Sequence, residues 1–259
     1  AMQAGNAKEG SNKYKPARES SILNRLSEMN PGPLHSDQIR NVFKEIISSC
    51  RSTESSFTIS FLGPEGTFSE TALEGQFGKS VEKIPEETIR SVFKSVVNKT
   101  SHFGIVPIEN SIEGSVNLTL DCLSEFDLKI CGEIEMEIHH NLLGHNMALP
   151  RDGFEIHAHE QTLGQCREWL ESYCPGVQLV SVSSNAQAAL DVTEDNKIIA
   201  IAGELAAEKY GLDILSKNIE DYSNNTTRFL TIGNIDSSKT SLDKTSIMAT
   251  TKNEEGALY

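Results

Sequence analysis

The sequence predicts an α/β protein with two lobes, whose parallel-rich sheets are covered by helices, preceded by a helical hairpin. Two observations carry this prediction. From Phe57 onward, short apolar runs alternate with stretches whose apolar residues recur every three or four positions, which is the pattern of β-loop-α units. Before that point, two helical stripes are separated by the break Asn30-Pro31-Gly32-Pro33.

The helical hairpin follows a polar start. Its apolar residues lie at helical spacing: Ile22, Leu23, Leu26 and Met29, then Ile39, Val42, Phe43, Ile46 and Ile47. Because a segment of ~40 residues seldom builds a sufficient core, we expect the hairpin to pack on the next domain or on another copy. Residues 1–13 are small and polar and fit a tag remnant, a frayed end or the tail of a helix.

The next segment reads as β-loop-α units. The predicted strands cover residues 57–62, 81–84 and 103–108, and the predicted helices cover 67–77 and 89–97. Residues 129–143 alternate apolar and polar side chains over a longer span. We expect that span to cross between two lobes.

The second lobe, at about 140–215, repeats the same alternation. Its predicted strands are 155–158, 178–182 and 198–202, and its predicted helices are 161–173, 186–192 and 204–210. The βα order predicts parallel strands covered by helices. Residues 235–259 read as a linker followed by a new strand over 246–251.

Composition excludes several function classes. In 259 residues no apolar run approaches the ~20 residues of a membrane span, and the first thirty residues are too polar for a secretory signal, so we expect a cytoplasmic protein. The five cysteines form no CxxC pair and read as reduced thiols. The net charge of -14 argues against nucleic acid or an anionic membrane as a partner.

Three polar clusters, at residues 63–69, 109–114 and 159–162, each follow a predicted strand and open a helix, and a fourth, at 225–229, opens the predicted strand that continues through 230–232. In open α/β sheets ligands bind beyond the carboxyl ends of strands, so the clusters predict one polar cleft. Each cluster also has a structural reading. The glycine loop could be a simple turn, the Asn110 cluster a helix cap, and His159 a structural histidine. The seven histidines show no metal-ligand spacing, so we expect no metal site. On the residues alone an enzyme and a binding module both stay open.

At these clusters the sequence resembles a known family. GPEGTFSE at 63–70, PIENSIEG at 107–114, His159-Glu160-Gln161 leading to Gln165-Cys166, and Asn225-Thr226-Thr227-Arg228-Phe229 resemble the motifs of prephenate dehydratases, in the same order. The resemblance spans residues 57–234. One departure is Glu160, where the family usually has proline.

The flanks resemble two other domains. Residues 1–54, through Arg18-Glu19, Glu54 and an NPGPL turn, are similar to part of an all-helical chorismate mutase, as in bifunctional P-proteins. Its long first helix is missing or a stub, which implies mutase activity only in the intact parent protein. Residues 244–259 resemble the opening strand of a regulatory ACT domain. The resemblance therefore implies feedback inhibition by phenylalanine only in the intact protein, and a homodimer.

The resemblance implies a periplasmic-binding-protein-like fold and a lyase of L-phenylalanine biosynthesis, which converts prephenate to phenylpyruvate, carbon dioxide and water without a cofactor. Arogenate, which differs at the side-chain amine, is left open. Thr227 matches the family's catalytic threonine, and Asn110 and Gln161 match catalytic residues that position substrate and share the hydrogen bonding. Arg228 is either a carboxylate partner or a pin between the lobes. The implied substrate-binding residues are Gly66, Thr67, Ser69, Glu109, Ser111, His159, Thr226, Arg228 and Phe229.

Overall fold

The computed structural model describes residues 16–54, 57–145, 153–236, 239 and 243–249. The helices are α1 Pro16–Glu28, α2 Ser36–Glu54, α3 Phe68–Phe77, α4 Ile89–Val97, α5 Asn117–Glu125, α6 Glu160–Gln165, α7 Arg167–Tyr173, α8 Asn185–Glu194 and α9 Glu204–Tyr210. The strands are β1 Thr58–Leu62, β2 Glu82–Glu86, β3 Phe103–Asn110, β4 Gly114–Ser115, β5 Lys129–Glu137, β6 Asn141–Gly144, β7 Glu155–Ala158, β8 Gln178–Ser181, β9 Ile198–Ala202, β10 Asp213–Ser216 and β11 Thr226–Gly233.

The first lobe is built on a sheet with strand order β2-β1-β3-β11-β5, and β4 pairs with β3 at its end. The pairs that β1 makes with β2 and β3 are parallel, whereas β11 is antiparallel to both β3 and β5. One face packs Phe61, Phe77 and Phe103 beneath α3, and the other packs Val92 and Phe93 of α4. The last strand of the described residues, β11, therefore lies inside the sheet that the first strands begin.

The second lobe has a sheet of order β10-β6-β9-β7-β8, in which β7 is parallel to β8 and β9. Two chain segments join the lobes where they run side by side. The amide of Ile138 donates to the carbonyl of Asn225, and the amide of Ile219 donates to the carbonyl of His140, both at 2.8 Å. The predicted crossing over 129–143 is thus confirmed, with a break between β5 and β6. The two-lobed α/β fold class is confirmed as well.

The helical hairpin packs on the first lobe. Its second helix contacts α3 and the turn after it, where the amide of Lys79 donates to the Glu45 carboxylate at 3.2 Å and Ser49 meets Ser80 at 3.1 Å. The guanidinium of Arg51 lies 4.9 Å from the centroid of the Phe57 ring. The hairpin therefore packs on the next domain, which is one of the two partners expected from the sequence.

Several elements differ from the sequence prediction. The helix predicted over 161–173 is divided at Cys166, because the Asp221 carboxylate accepts the amides of Glu168 and Trp169 at 3.0 and 3.1 Å and so caps a second helix. The sequence prediction lacked α5, β4 and β10. Residues 243–249 form no strand, and the rest of the expected ACT strand lies outside the described residues. Of the helices in the described ranges, none has the length and apolar character that crossing a membrane requires.

Candidate functional site

Thr227 and Asn110 face each other at the ends of neighbouring strands. They are paired positions in the antiparallel ladder of β11 and β3, and the Asn110 side-chain amide donates to the Thr227 hydroxyl oxygen at 2.8 Å. Thr227 is 9% exposed. The sheet thus brings together two residues that are 117 positions apart in the chain.

The orientation of the Asn110 amide follows from its other contacts. Its Oδ1 accepts the backbone amides of Ile112 and Glu113 at 2.9 and 3.0 Å, so the opposite end of the side chain carries the hydrogens. Those hydrogens go to Thr227 and to Asn225 Oδ1, the latter at 2.7 Å. The Thr227 oxygen is therefore an acceptor toward Asn110, and its own hydrogen points elsewhere. Within the described ranges no protein group accepts that hydrogen.

The network continues across the boundary between the lobes. Buried Asn225 donates to Gln165 Oε1 at 3.2 Å, and His140 Nε2 contacts the same oxygen at 2.8 Å. Because that oxygen only accepts, Nε2 is the protonated nitrogen of His140. Burial lowers the pKa of His140, so the ring is neutral at pH 7. A run of neutral groups thus leads from Thr227 to the junction between the lobes.

The third cluster begins α6. His159 is its N-cap, where the ring accepts the amide of Gln161 at 3.4 Å while the His159 amide donates to Asn185 Oδ1 at 2.9 Å. Glu160, at the position where the family has proline, is the first residue of the helix. Both proline and a carboxylate suit that position, so the departure fits the backbone. The Gln161 side chain donates to the Glu113 carboxylate at 3.4 Å.

The glycine loop between β1 and α3 is held by its own polar groups. The Gly66 amide donates to the Glu70 carboxylate at 2.7 Å, and the Thr67 hydroxyl donates to the Leu62 carbonyl at 3.1 Å. Thr67 occupies the N-cap position but makes no side-chain cap bond, and Ser69 is buried. The Gly66 and Thr67 donors therefore point into the protein in this conformation.

The same loop contacts the second lobe. Glu70 is fully buried, and its carboxylate pairs with Lys83 at 3.0 Å and with Lys209 of α9 at 2.8 Å. Burial alone would raise the pKa of Glu70, but Lys209, the Gly66 amide and Lys83 together hold it below its usual value. Tyr210 donates its hydroxyl to the Glu65 carbonyl at 3.0 Å. These contacts close the lobes against each other on the glycine-loop side.

Arg228 alternates with Thr227 along β11, so its side chain lies on the other face of the sheet. Its guanidinium forms ion pairs with Glu109 at 2.5 Å and with Glu133 at 3.3 Å. These hydrogen bonds raise the pKa of Arg228. Both carboxylates belong to the same sheet, so these ion pairs join strands within one lobe.

The remaining predicted residues divide between turn and core. Ser111 ties the β3–β4 turn to β11, because its hydroxyl donates to the Asn224 carbonyl at 3.3 Å and accepts the Thr226 amide at 2.9 Å. No helix begins at Asn110, so the alternative reading of that cluster as a helix cap is wrong. Phe229 is buried in the core beneath α3.

The residues assigned to the mutase remnant lie on the hairpin, away from this network. Arg18 is exposed, and Glu54 ends α2. Both oxygens of Glu19 accept Nη2 of Arg51 at 2.9 Å. Burial raises the pKa of Glu19, with Arg51 opposing that rise.

The sequence prediction omitted four members of the network from the site: His140, Gln165, Asn225 and Glu113. Three of them lie within the quoted motifs, so motif membership was a usable signal. His140 lies outside those motifs, in the segment between the end of β5 at Glu137 and the start of β6. In the part of the chain that the structure describes, no cluster of three or more His, Cys, Asp or Glu could hold a metal ion.

Comparison with known proteins decides the family. The family model for prephenate dehydratase matches residues 59–237. The chain belongs to the prephenate dehydratase family. The model for chorismate mutase type II matches residues 1–55, so a partial mutase domain precedes the dehydratase domain, and the resemblance to these two domains is confirmed.

Its relatives include bifunctional chorismate mutase/prephenate dehydratases. The protein from Stutzerimonas stutzeri is 46% identical over 246 residues, which cover 95% of this chain and 67% of the relative, and that from Aquifex aeolicus is 41% identical over 248 residues. A prephenate dehydratase from Arthrobacter aurescens, solved in complex with L-Phe, has a TM-score of 0.63 and 30% identity, covering 71% of this chain and 63% of that one. A structure described as a quorum-quenching acylase has a TM-score of 0.61 and 30% identity, covering 70% of this chain and 65% of that one. The chain thus spans about two thirds of the length of these relatives.

Proposed function

We propose that this chain is a prephenate dehydratase of L-phenylalanine biosynthesis in which Thr227 donates a hydrogen bond to the departing hydroxyl group. Family membership supports the reaction. The observation that supports the role of Thr227 is its contact with Asn110. Since Asn110 can only donate at that end of its amide, the hydroxyl hydrogen of Thr227 is left to donate to a ligand.

The reaction suits a site of this kind. As prephenate loses carbon dioxide, the electron pair of the breaking carbon–carbon bond enters the ring, and the carbon–oxygen pair leaves with the hydroxyl group, which takes a proton and becomes water. Formation of the aromatic ring drives the step, so no electron-accepting cofactor is required. Negative charge grows on the departing oxygen, and a fixed donor stabilises that charge more strongly in the transition state than in the bound substrate.

Threonine itself is a weak acid. We therefore assign Thr227 hydrogen-bond donation within a relay, with Asn110 setting its direction. Gln161 would position the substrate from the second lobe. Arg228 could contact a substrate carboxylate only by leaving its ion pairs with Glu109 and Glu133. The other proposed substrate-binding residues remain Gly66, Thr67, Ser69, Glu109, Ser111, His159, Thr226 and Phe229.

The competing classes are an acylase and a binding module. An acylase that used Thr227 as its nucleophile would need a base within hydrogen-bond reach of the hydroxyl. The polar side chain that contacts it here is an amide donor, which cannot remove its proton. A binding module would hold prephenate without turnover, and the rate measurement separates it from an enzyme.

The test is phenylpyruvate formation by purified wild type, Thr227→Ser and Thr227→Val. Valine keeps the size of threonine but removes the donor, and loss of one transition-state donor typically lowers kcat by ~10² to 10³. The serine variant should retain most of kcat. The matched control is Thr231→Val on the same strand, since its buried hydroxyl has no hydrogen-bond partner among the residues that the structure describes. Equal kcat for Thr227→Val and wild type would remove Thr227 from this role, and no turnover by wild type would overturn the reaction.

We further propose the wider setting that the resemblance implies. It consists of a cytoplasmic homodimer that acts on prephenate, with residues 244–259 opening an ACT domain through which phenylalanine inhibits the intact protein. The L-Phe complex of the Arthrobacter aurescens relative supports the last point. Sedimentation of the intact protein tests the homodimer. Its dehydratase rate with and without phenylalanine tests the inhibition.

A further inference from the structure

Four residues around Thr227 close a ring of hydrogen bonds. Asn110 donates to Asn225, Asn225 donates to Gln165, Gln165 donates to the Glu113 carboxylate at 3.3 Å, and the Glu113 backbone amide donates back to Asn110. Every donor in the ring meets an acceptor, so one orientation of all three amides satisfies the whole set. The second hydrogen of the Asn110 amide leads out of the ring to Thr227.

Glu113 fixes the direction of this ring. An ionised carboxylate only accepts, so Gln165 must turn its nitrogen toward Glu113 and its oxygen toward Asn225. With that oxygen accepting, Asn225 presents its own oxygen to Asn110. Asn110 is also fixed independently by backbone amides. Glu113 is the charged member of the ring, and its orienting effect runs through Gln165 to Asn225, which accepts the other hydrogen of the Asn110 amide.

Glu113 also joins the lobes. It lies in the β3–β4 turn of the first lobe, whereas Gln161 and Gln165 lie one helical turn apart on α6 of the second lobe. Each of its two carboxylate oxygens takes one of these amides, at 3.4 and 3.3 Å. Glu113 is exposed, so water competes for both hydrogen bonds, and each is weak enough to break and re-form.

We propose that Glu113 is a positioning residue: its carboxylate latches α6 onto the β3–β4 turn in the closed cleft and so holds Gln161 and Gln165 in their working orientation beside Thr227. The inference rests on the proposed dehydratase function, because the latch orients that site. It assigns Glu113 no contact with the reacting atoms. The latch opens for substrate entry and closes over bound substrate.

The first test compares Glu113→Ala, Glu113→Gln and the control Glu87→Ala, which removes another exposed negative charge of the first lobe. Loss of two weak hydrogen bonds should lower kcat/KM by about 10-fold in Glu113→Ala. Glu113→Gln should recover most of that loss, because its carbonyl can still accept from Gln165. Glu87→Ala should match wild type, and because Glu113 is exposed all three should melt close to wild type.

A second arm uses Gln161→Leu. If Glu113 acts through Gln161, the loss caused by Gln161→Leu should be smaller in the Glu113→Ala background than in wild type. Full additivity would overturn the latch. A lower KM in Glu113→Ala would also overturn it, since Glu113 would then be competing with substrate for the two amides.

A third readout does not depend on turnover. Backbone hydrogen exchange of α6 and of the β3–β4 turn should be faster in Glu113→Ala than in Glu87→Ala, because an unlatched helix opens more often. Unchanged exchange would overturn the latch even if the dehydratase is active. If wild type formed no phenylpyruvate but exchange still increased, the proposed reaction would fail while the latch held.

Discussion

Gly66→Ala tests whether the glycine loop is closed against the second lobe. Gly66 has φ +84°, and a Cβ there would lie 3.2 Å from Tyr210 Cε2 and 3.3 Å from Ala206 Cα, both in α9. A left-handed conformation costs an L-residue ~1–2 kcal/mol, and the tight contacts add to it. We expect a loss of about 2 kcal/mol. At ~2–4 °C per kcal/mol for a domain of this size, Tm should fall by roughly 4–8 °C.

The matched control is Gly75→Ala. Gly75 lies within α3, where an added Cβ would meet nothing within 4 Å, so alanine should stabilise the helix by ~0.5–1 kcal/mol. Thermal unfolding followed by circular dichroism gives both shifts, and the dehydratase assay gives KM. Because the new methyl group presses on α9 of the second lobe, KM of Gly66→Ala should rise while that of Gly75→Ala stays unchanged. A Tm for Gly66→Ala equal to or above wild type would refute the closed packing.

Two further predictions concern buried groups. Glu70→Gln should lower stability at pH 7 by about 3 kcal/mol, the lower end of the ~3–5 kcal/mol for breaking a buried pair, because Lys83 and Lys209 are partly exposed. The folded-state pKa of Glu70 lies below its ordinary value of ~4.3, so this contribution to stability is complete above about pH 4.3 and is lost as the pH falls through the folded-state pKa. In urea unfolding, the difference in unfolding free energy between wild type and Glu70→Gln should therefore become smaller in acid. A difference that stays constant with pH would contradict the ion pairs. Exposed Cys50 should react fast with a thiol reagent at neutral pH, whereas burial raises the pKa of Cys131 to about 11 and that of Cys166 further. Cys50→Ser should abolish the fast phase, and a fast phase that survives would contradict the burial of the other thiols.

The sequence predicts the sheet strands well where a continuous apolar run ends at a turn. Buried strands such as β3 and β9 present that pattern, because both faces of each are covered. The two hairpin helices are predicted correctly for a similar reason, because each has an apolar stripe and Pro31 and Pro33 mark the break between them. The two-residue strand β4 is too short to carry such a pattern. The end of α6 could not be read from local sequence, because it depends on Asp221, which lies 55 residues after Cys166.

The sequence allowed prediction of which residues form the site but not of the hydrogen bonds that join them. Motifs pointed to Asn110, Gln161 and Thr227, but no local pattern shows that Asn110 is the cross-strand neighbour of Thr227, since register depends on the whole ladder. The direction of each amide depends on partners as far as 115 residues away. Arg228 looked like a ligand for an anion because its two carboxylate partners come from strands remote in sequence.

The position of β11 has a consequence for how the protein is made. This strand follows the whole second lobe in the chain, yet it lies between β3 and β5, which are synthesised first. During synthesis on the ribosome, the sheet of the first lobe stays incomplete until residues 226–233 have been synthesised. The two lobes therefore cannot mature as independent units in order of synthesis. The same late strand carries Thr227, so its return completes the fold and the site in one event.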